Sequence, residues 1–333
     1  MTRLIQIRRG RVRRVALIEE PNVRLLDSCS SICELAHIAI SAGMKLSDVA
    51  RQRARREMLE YDPIYSGISE WRLLPAIDHP DEPSRCLISG TGLTHLGSAR
   101  GRQSMHATAT EDLTDSMKIF RWGVEGGRPA EGAIGISPEW FHKGVGCALR
   151  AHGEPLDIPA YAEDGGEEAE IAGVYLVAAD GQPYRIGMAV GNEFSDHAFE
   201  KKNYLNLAGS KLRTCALGPE LAVDAQFESV PVEATIERNG NVHWTKMFRT
   251  GESEMCHSLH NLEHHHFKFA GHRRPGDVHV HFFGTDCLSF SDQIRLQDGD
   301  VMQVSAEGYG RPLRNPVRVD KSKPILVKVI PLG

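Results

Sequence analysis

The chain has 333 residues, 41% of them hydrophobic, which is enough to bury one large core and a smaller one. Its net charge of −5 gives no electrostatic footprint for nucleic acid or an anionic membrane. No apolar run reaches bilayer length, and the basic start Met1–Arg9 lacks the apolar centre of a signal peptide, so a small cytoplasmic enzyme is expected.

Residues 1–27 read as short strands, with a turn at Glu20-Pro21-Asn22. From Ser30 to Ala42, apolar residues at 32, 35, 36, 39 and 40 make one helical face, and Gly43 supplies a stop. A second helix is predicted over Ser47–Tyr61. The proline- and acid-rich connector Asp78–Pro83 marks the expected boundary between an N-terminal α+β domain, 1–80, and a larger domain, 84–333. From Cys86 onward, short apolar runs broken by Gly, Pro and Asp predict a mainly β domain.

The polar stretch 98–127, helical over Thr110–Phe120, is the expected lid. His95 and His106 flank it and are candidates for acid–base work, because an imidazole titrates near neutral pH. Arg121 within it is a candidate for a substrate carboxylate, and Gly90-Thr91-Gly92 offers backbone amides for the same purpose.

Glu168 and Glu170 open the apolar run Ile171–Val177. Side chains two apart on a strand share a face at roughly 7 Å, so both carboxylates can turn to one cation. A lone Glu-x-Glu is often the decoration of a wet strand face. A third acid, Glu193, ends the next apolar stretch, and Lys211 follows before the turn at Gly218-Pro219. Three carboxylates suit a hard divalent ion, Mg²⁺ first, with Mn²⁺ or Ca²⁺ as alternatives.

Seven cysteines without a Cys-x-x-Cys suggest neither a disulfide framework nor a zinc ribbon. Cys215, near Lys211 and Arg213, reads as a packed, inert thiol. The run His264-His265-His266 lies among Leu259, Leu262 and Phe267 and reads as an amphipathic helix with its histidines on the wet side. His279 and His281 alternate with apolar residues and share one strand face.

Several motifs in this order resemble the fumarylacetoacetate hydrolase superfamily. They are Pro138–Lys143, Glu168-x-Glu170, Gly191-Asn192-Glu193-x-Ser195, Lys211, Pro275-Gly276-Asp277-Val278, Gly284-Thr285 and the stretch Gly308 to Val317. Cys86–His95, Gly191–His197 and Leu262–Phe267 resemble its sugar-acid branch, the 2-keto-3-deoxy-arabonate dehydratases. The resemblance implies an α+β fold: a mainly β, mixed β-roll or sandwich catalytic domain with a smaller N-terminal α+β domain, assembled as a homodimer. It implies metal ligands Glu168, Glu170 and Glu193, a catalytic Lys211, and substrate contacts from Lys143, Ser195, Gly284 and Thr285.

Two departures stand out. The third ligand is Glu193 where the family usually has Asp, and no His–Glu pair of the hydrolase branch aligns. The expected activity is dehydration of a 2-keto-3-deoxy sugar acid: the cation polarises the 2-oxo group, a C3 proton leaves, and the enolate expels the C4 hydroxyl. Lys211, if desolvated toward neutrality, serves as base or holds the oxyanion. The alternative is C–C hydrolysis of a β-diketo acid, and a non-catalytic sugar-acid binder with a structural Ca²⁺ is the reading from another class.

Overall fold

The computed structural model describes residues 1–106 and 114–333; for Arg102 and residues 104–106 only the backbone is described. Among the described residues, the strands form one sheet of 13 strands and one of five. The large sheet runs from an edge at Ala54–Glu60 through Asn22–Leu26, Val12–Glu19, Arg3–Arg9, Leu221–Ala222, Pro183–Asn192, Ala169–Val177, Val278–Phe282 and Cys86–Gly92 to Glu139–Val145. The small sheet is ordered Asn241–Thr250, Val230–Arg238, Val301–Ala306, Leu313–Val319, Leu156–Ile158.

Helices cover both faces of the large sheet. On one side, Ile32–Ala42 buries Ile32, Leu35, Ala36 and Ala39, the face read from the sequence. Ser31 caps it by accepting from the Glu34 N–H, and Gly43 closes it at φ 63°, where a residue with a Cβ would be strained. Leu35, Ala36 and Leu46 pack there with Val174, Val280 and Phe282. On the other face, Ile171, Tyr175 and Phe283 meet the small sheet and Leu262 of helix Leu259–Phe267.

The helix expected over Ser47–Tyr61 is half there. It ends at Gln52, and Ala54–Glu60 is an edge strand with Val23 opposite Leu59. The segment Arg55-Arg56-Glu57 has no apolar face to bury as a helix, and it instead satisfies the open backbone of Asn22–Leu26 while its side chains stay wet. Helix Leu96–His106 begins just before the expected lid, and helix Asp115–Gly126 within it is capped by Thr114; residues 110–113 of the helix expected over Thr110–Phe120 lie outside the described residues.

The first strand joins the same sheet as the strand that leads to Glu193, through Arg3 opposite Ala222 and Ala222 opposite Met188. Fully buried Glu220 ties this junction together. It accepts from Arg3 at 2.8 Å, from the Tyr61 hydroxyl at 3.0 Å and from the Arg311 backbone N–H at 3.0 Å. No helix among the described residues is long and apolar enough to cross a membrane.

Candidate metal centre

Ala169–Val177 is buried along its whole length, hydrogen-bonded on both edges by Pro183–Asn192 and Val278–Phe282. A run this apolar belongs in the middle of a sheet, and its leading acids are carried inside with it. Register then decides the third acid: the Glu193 N–H donates to the Glu168 carbonyl at 2.9 Å, setting the two side by side. Gly191 lies opposite Glu170, where a Cβ would come 2.4 Å from the Phe282 ring. Just past Glu193 the chain turns through Phe194 at φ 48°, a left-handed conformation costly for a bulky residue.

Glu168, Glu170 and Glu193 each bring a carboxylate oxygen to within 4.8 Å of the others, and all three are buried. Lys211 donates to Glu168 at 2.5 Å and also to Glu193. Lys143 pairs with Glu193 at 2.7 Å and donates to the carbonyls of Lys211, at 2.9 Å, and Phe194. The Ser195 hydroxyl donates to Glu193 at 3.0 Å, and the Gly284 N–H donates to Glu170 at 2.7 Å. Gly284 sits at φ 91°, and a Cβ there would come 2.1 Å from the Thr94 hydroxyl. His197, missed in the sequence, lies 3.0 Å from Glu168 through Nε2.

The three carboxylates do not titrate alike. Burial pushes Glu168 up, but Lys211 and His197 outweigh it and hold the group well below the usual carboxylate range. Burial and then the charges of Glu168 and Glu193 drive Glu170 well above that range, outweighing Lys211, which hydrogen-bonds the other two acids instead. Burial, with Glu168 next, also raises Glu193 despite its two lysines. Two lysines therefore face three acids, and the acid without an ion pair among the described residues is Glu170. That imbalance, in a donor set made of oxygen, fits a hard divalent cation held by Glu168, Glu170 and Glu193.

Lys211 departs from its expectation. Burial does pull it down, but Glu168 and then Glu193 outweigh that and raise it, so it stays an ammonium rather than a near-neutral amine. Ser195 and Gly284, expected as substrate contacts, spend their donors on the acids themselves, and Lys143, expected likewise, divides its own between Glu193 and the carbonyls of Phe194 and Lys211. Thr285 is buried and donates to the Cys287 carbonyl at 3.1 Å.

His95 is buried with both nitrogens engaged, Nδ1 on Thr94 at 2.8 Å and Nε2 on Thr250 at 3.0 Å. Thr94 gives its own proton to the Phe283 carbonyl, so His95 carries its proton on Nδ1. Burial lowers it to about 4, which leaves it neutral and without a spare proton at neutral pH. Arg121 is exposed on helix Asp115–Gly126, and the His106 side chain lies outside the described residues. Cys215 is buried and raised to about 12, the inert thiol expected.

The expectation of a wet histidine helix fails. In Leu259–Phe267, His265 and His266 are buried, His266 against His272, His279 and His281. Apolar spacing marks a helix face but not how wide its covered arc is, and here strand Val278–Phe282 and Trp140 cover the histidine side too.

The fold is shared with solved enzymes. A structure of 2-keto-3-deoxy-D-arabinonate dehydratase in its apo form matches with a TM-score of 0.71 at 18% identity, covering 96% of this chain and 100% of that one. One of 2-keto-3-deoxy-D-arabinonate dehydratase complexed with magnesium and 2,5-dioxopentanoate matches with a TM-score of 0.71 at 17% identity over the same shares. A 5-carboxymethyl-2-hydroxymuconate delta-isomerase from Mycobacterium smegmatis matches at 0.56 and 18%, again over 96% and 100%. No family model and no curated protein matches the sequence. At these identities the likeness is one of fold, and that fold is the α+β architecture expected from the resemblance to the fumarylacetoacetate hydrolase superfamily.

Proposed function

We propose that the chain is a Mg²⁺-dependent hydro-lyase that dehydrates a 2-keto-3-deoxy sugar acid of pentonate type to a 2-oxo acid semialdehyde. The observation that carries this is Glu170, a buried carboxylate without an ion pair among the described residues beside two that are paired. The fold of a dehydratase solved with magnesium and 2,5-dioxopentanoate supports the substrate class.

A divalent cation on Glu168, Glu170 and Glu193 would supply Lewis acidity at a 2-oxo carboxylate. The chain's own residues supply the rest. Lys143 and Ser195 fix Glu193, His197 orients Glu168, and the Gly284 N–H fixes Glu170. Lys211, charged and buried, stabilises the negative charge that develops as the C3 proton leaves. The C4 hydroxyl departs with a proton. His106 is the proposed carrier of that proton, taking it from C3 and returning it to the C4 hydroxyl as it departs. One water is lost, and tautomerisation gives the semialdehyde.

Chelator-stripped protein given 2-keto-3-deoxypentonates of either C4 configuration should release one water per substrate only when Mg²⁺ is restored, read by mass spectrometry. Absence of Mg²⁺-dependent consumption defeats the reading. Cleavage of an acylpyruvate in its place would replace dehydration by C–C hydrolysis.

A further inference from the structure

His266, His272 and His279 each bring a ring nitrogen to within 4.8 Å of the others. They come from three elements: the last turn of helix Leu259–Phe267, the short 3₁₀ turn Ala270–Arg273, and strand Val278–Phe282. His266 and His279 are buried, while His272 is partly open and gives a way in. We propose that these three imidazoles form a second metal site, for a borderline transition dication of the Zn²⁺ type, chemically separate from the carboxylate centre.

The spacing suits the guest. His266 Nε2 lies 3.0 Å from His279 Nδ1. Tetrahedral ligands with Zn–N bonds of about 2.0–2.1 Å stand about 3.3 Å apart, so this pair needs little movement. Burial, and next the neighbouring imidazoles, keep His266 well below its ordinary value, and burial lowers His279 to about 3. Both are therefore neutral, the form that ligates.

The tautomers can be read from the partners. His272 Nδ1 is 2.7 Å from the His266 carbonyl, which can only accept, so the proton is on Nδ1 and the lone pair on Nε2. A backbone carbonyl on the far nitrogen is the usual way a ligating imidazole is oriented. His266 Nδ1 accepts from the Trp140 indole N–H at 3.2 Å, so its Nε2 carries a proton, toward His279. Ligation through that Nε2 moves the proton to Nδ1, which then donates to the Ser89 hydroxyl at 3.3 Å, and the indole loses its acceptor. Trp140 becomes the reporter of occupancy.

The test uses the full chain, stripped of metal and titrated with Co²⁺, whose visible absorption marks tetrahedral nitrogen coordination, and then with Zn²⁺. One tetrahedral Co²⁺ per chain, displaced by Zn²⁺, is expected, with a change in tryptophan emission that Trp140→Phe removes. His272→Ala, at a partly open turn, should weaken Co²⁺ binding by more than about 100-fold, beyond the about 10- to 100-fold of a lost outer partner. Glu170→Gln should leave these bands untouched. His279→Asn, read beside its melting temperature, repeats the test from the strand. Lack of tetrahedral bands in the wild type, their survival in His272→Ala, or their loss in Glu170→Gln overturns the site.

Discussion

Where strand Ala169–Val177 begins and Val278–Phe282 ends beside Gly284, three buried carboxylates sit among two lysines; further along the same pair, His279 and His281, with His266 of helix Leu259–Phe267 packed on them, are equally buried but held by hydroxyls, an indole and one another. Glu168 keeps its charge through Lys211 and His197, while Glu170 and, despite its lysines, Glu193 are raised. The imidazoles shed theirs, and burial drives His281 as well as His279 to about 3. Burial alone thus does not set the chemistry of a polar cluster; the charge of its neighbours does.

The largest effect that sharpens this contrast is expected from Glu170→Gln. An uncharged amide removes the one acid of the three without an ion pair among the described residues, so Mg²⁺ binding by calorimetry should vanish and turnover fall at least about 10³-fold, above the usual effect of one lost donor. Retained metal affinity would break the assignment of Glu170. Lys211→Met comes next: the divalent ion should still bind, while kcat drops by about 10² to 10³. A near-normal kcat would remove Lys211 from the chemistry.

Smaller effects come from the support. Gly284→Ala strains a backbone at φ 91° and meets Thr94, so a loss of about 1–3 kcal/mol in stability is expected, with divalent affinity down about 10- to 100-fold as Glu170 loses its N–H. Unchanged denaturation midpoint and affinity would contradict it. On the neutral side of the contrast, burial lowers His95, His152 and His257 to about 4. Each takes up its proton near 6.5 when unfolded, so its stabilising contribution is complete above that pH and is lost as pH falls from 6.5 toward 4. By pH 5 each withdraws up to about 2 kcal/mol. Melting followed by circular dichroism from pH 7.5 to pH 5 should show a falling midpoint, and a flat one would be inconsistent with neutral buried imidazoles.

The acids were legible because strand alternation and chain order are local: two carboxylates two apart, then a third at the end of the next apolar run. Helix Ile32–Ala42 was legible for the same reason, with its cap and its glycine stop. Lys211 was found, but its charge was misjudged, since the sequence shows a lysine near acids in order and not which carboxylates reach it in space. The depth of His266 depended on Trp140 and His279, which lie 126 residues before it and 13 after it. His197 closed the stretch Gly191–His197 that carried the resemblance, but nothing in the sequence aimed its ring at Glu168. Ala54–Glu60 became a strand because Asn22–Leu26 needed a partner, a demand invisible within the segment itself.

Glu220 has a bearing on how the molecule melts. It is gripped by the first strand, by Tyr61 and by the backbone of Arg311, and it neighbours the two-residue strand that clips Arg3–Arg9 to the strand ending in Asn192. Peeling the opening hairpin away would strand that carboxylate in a dry crevice and leave the two-residue strand beside the Glu193 strand with a raw edge. The beginning of the polypeptide and its chemistry should therefore fail together, in one cooperative step.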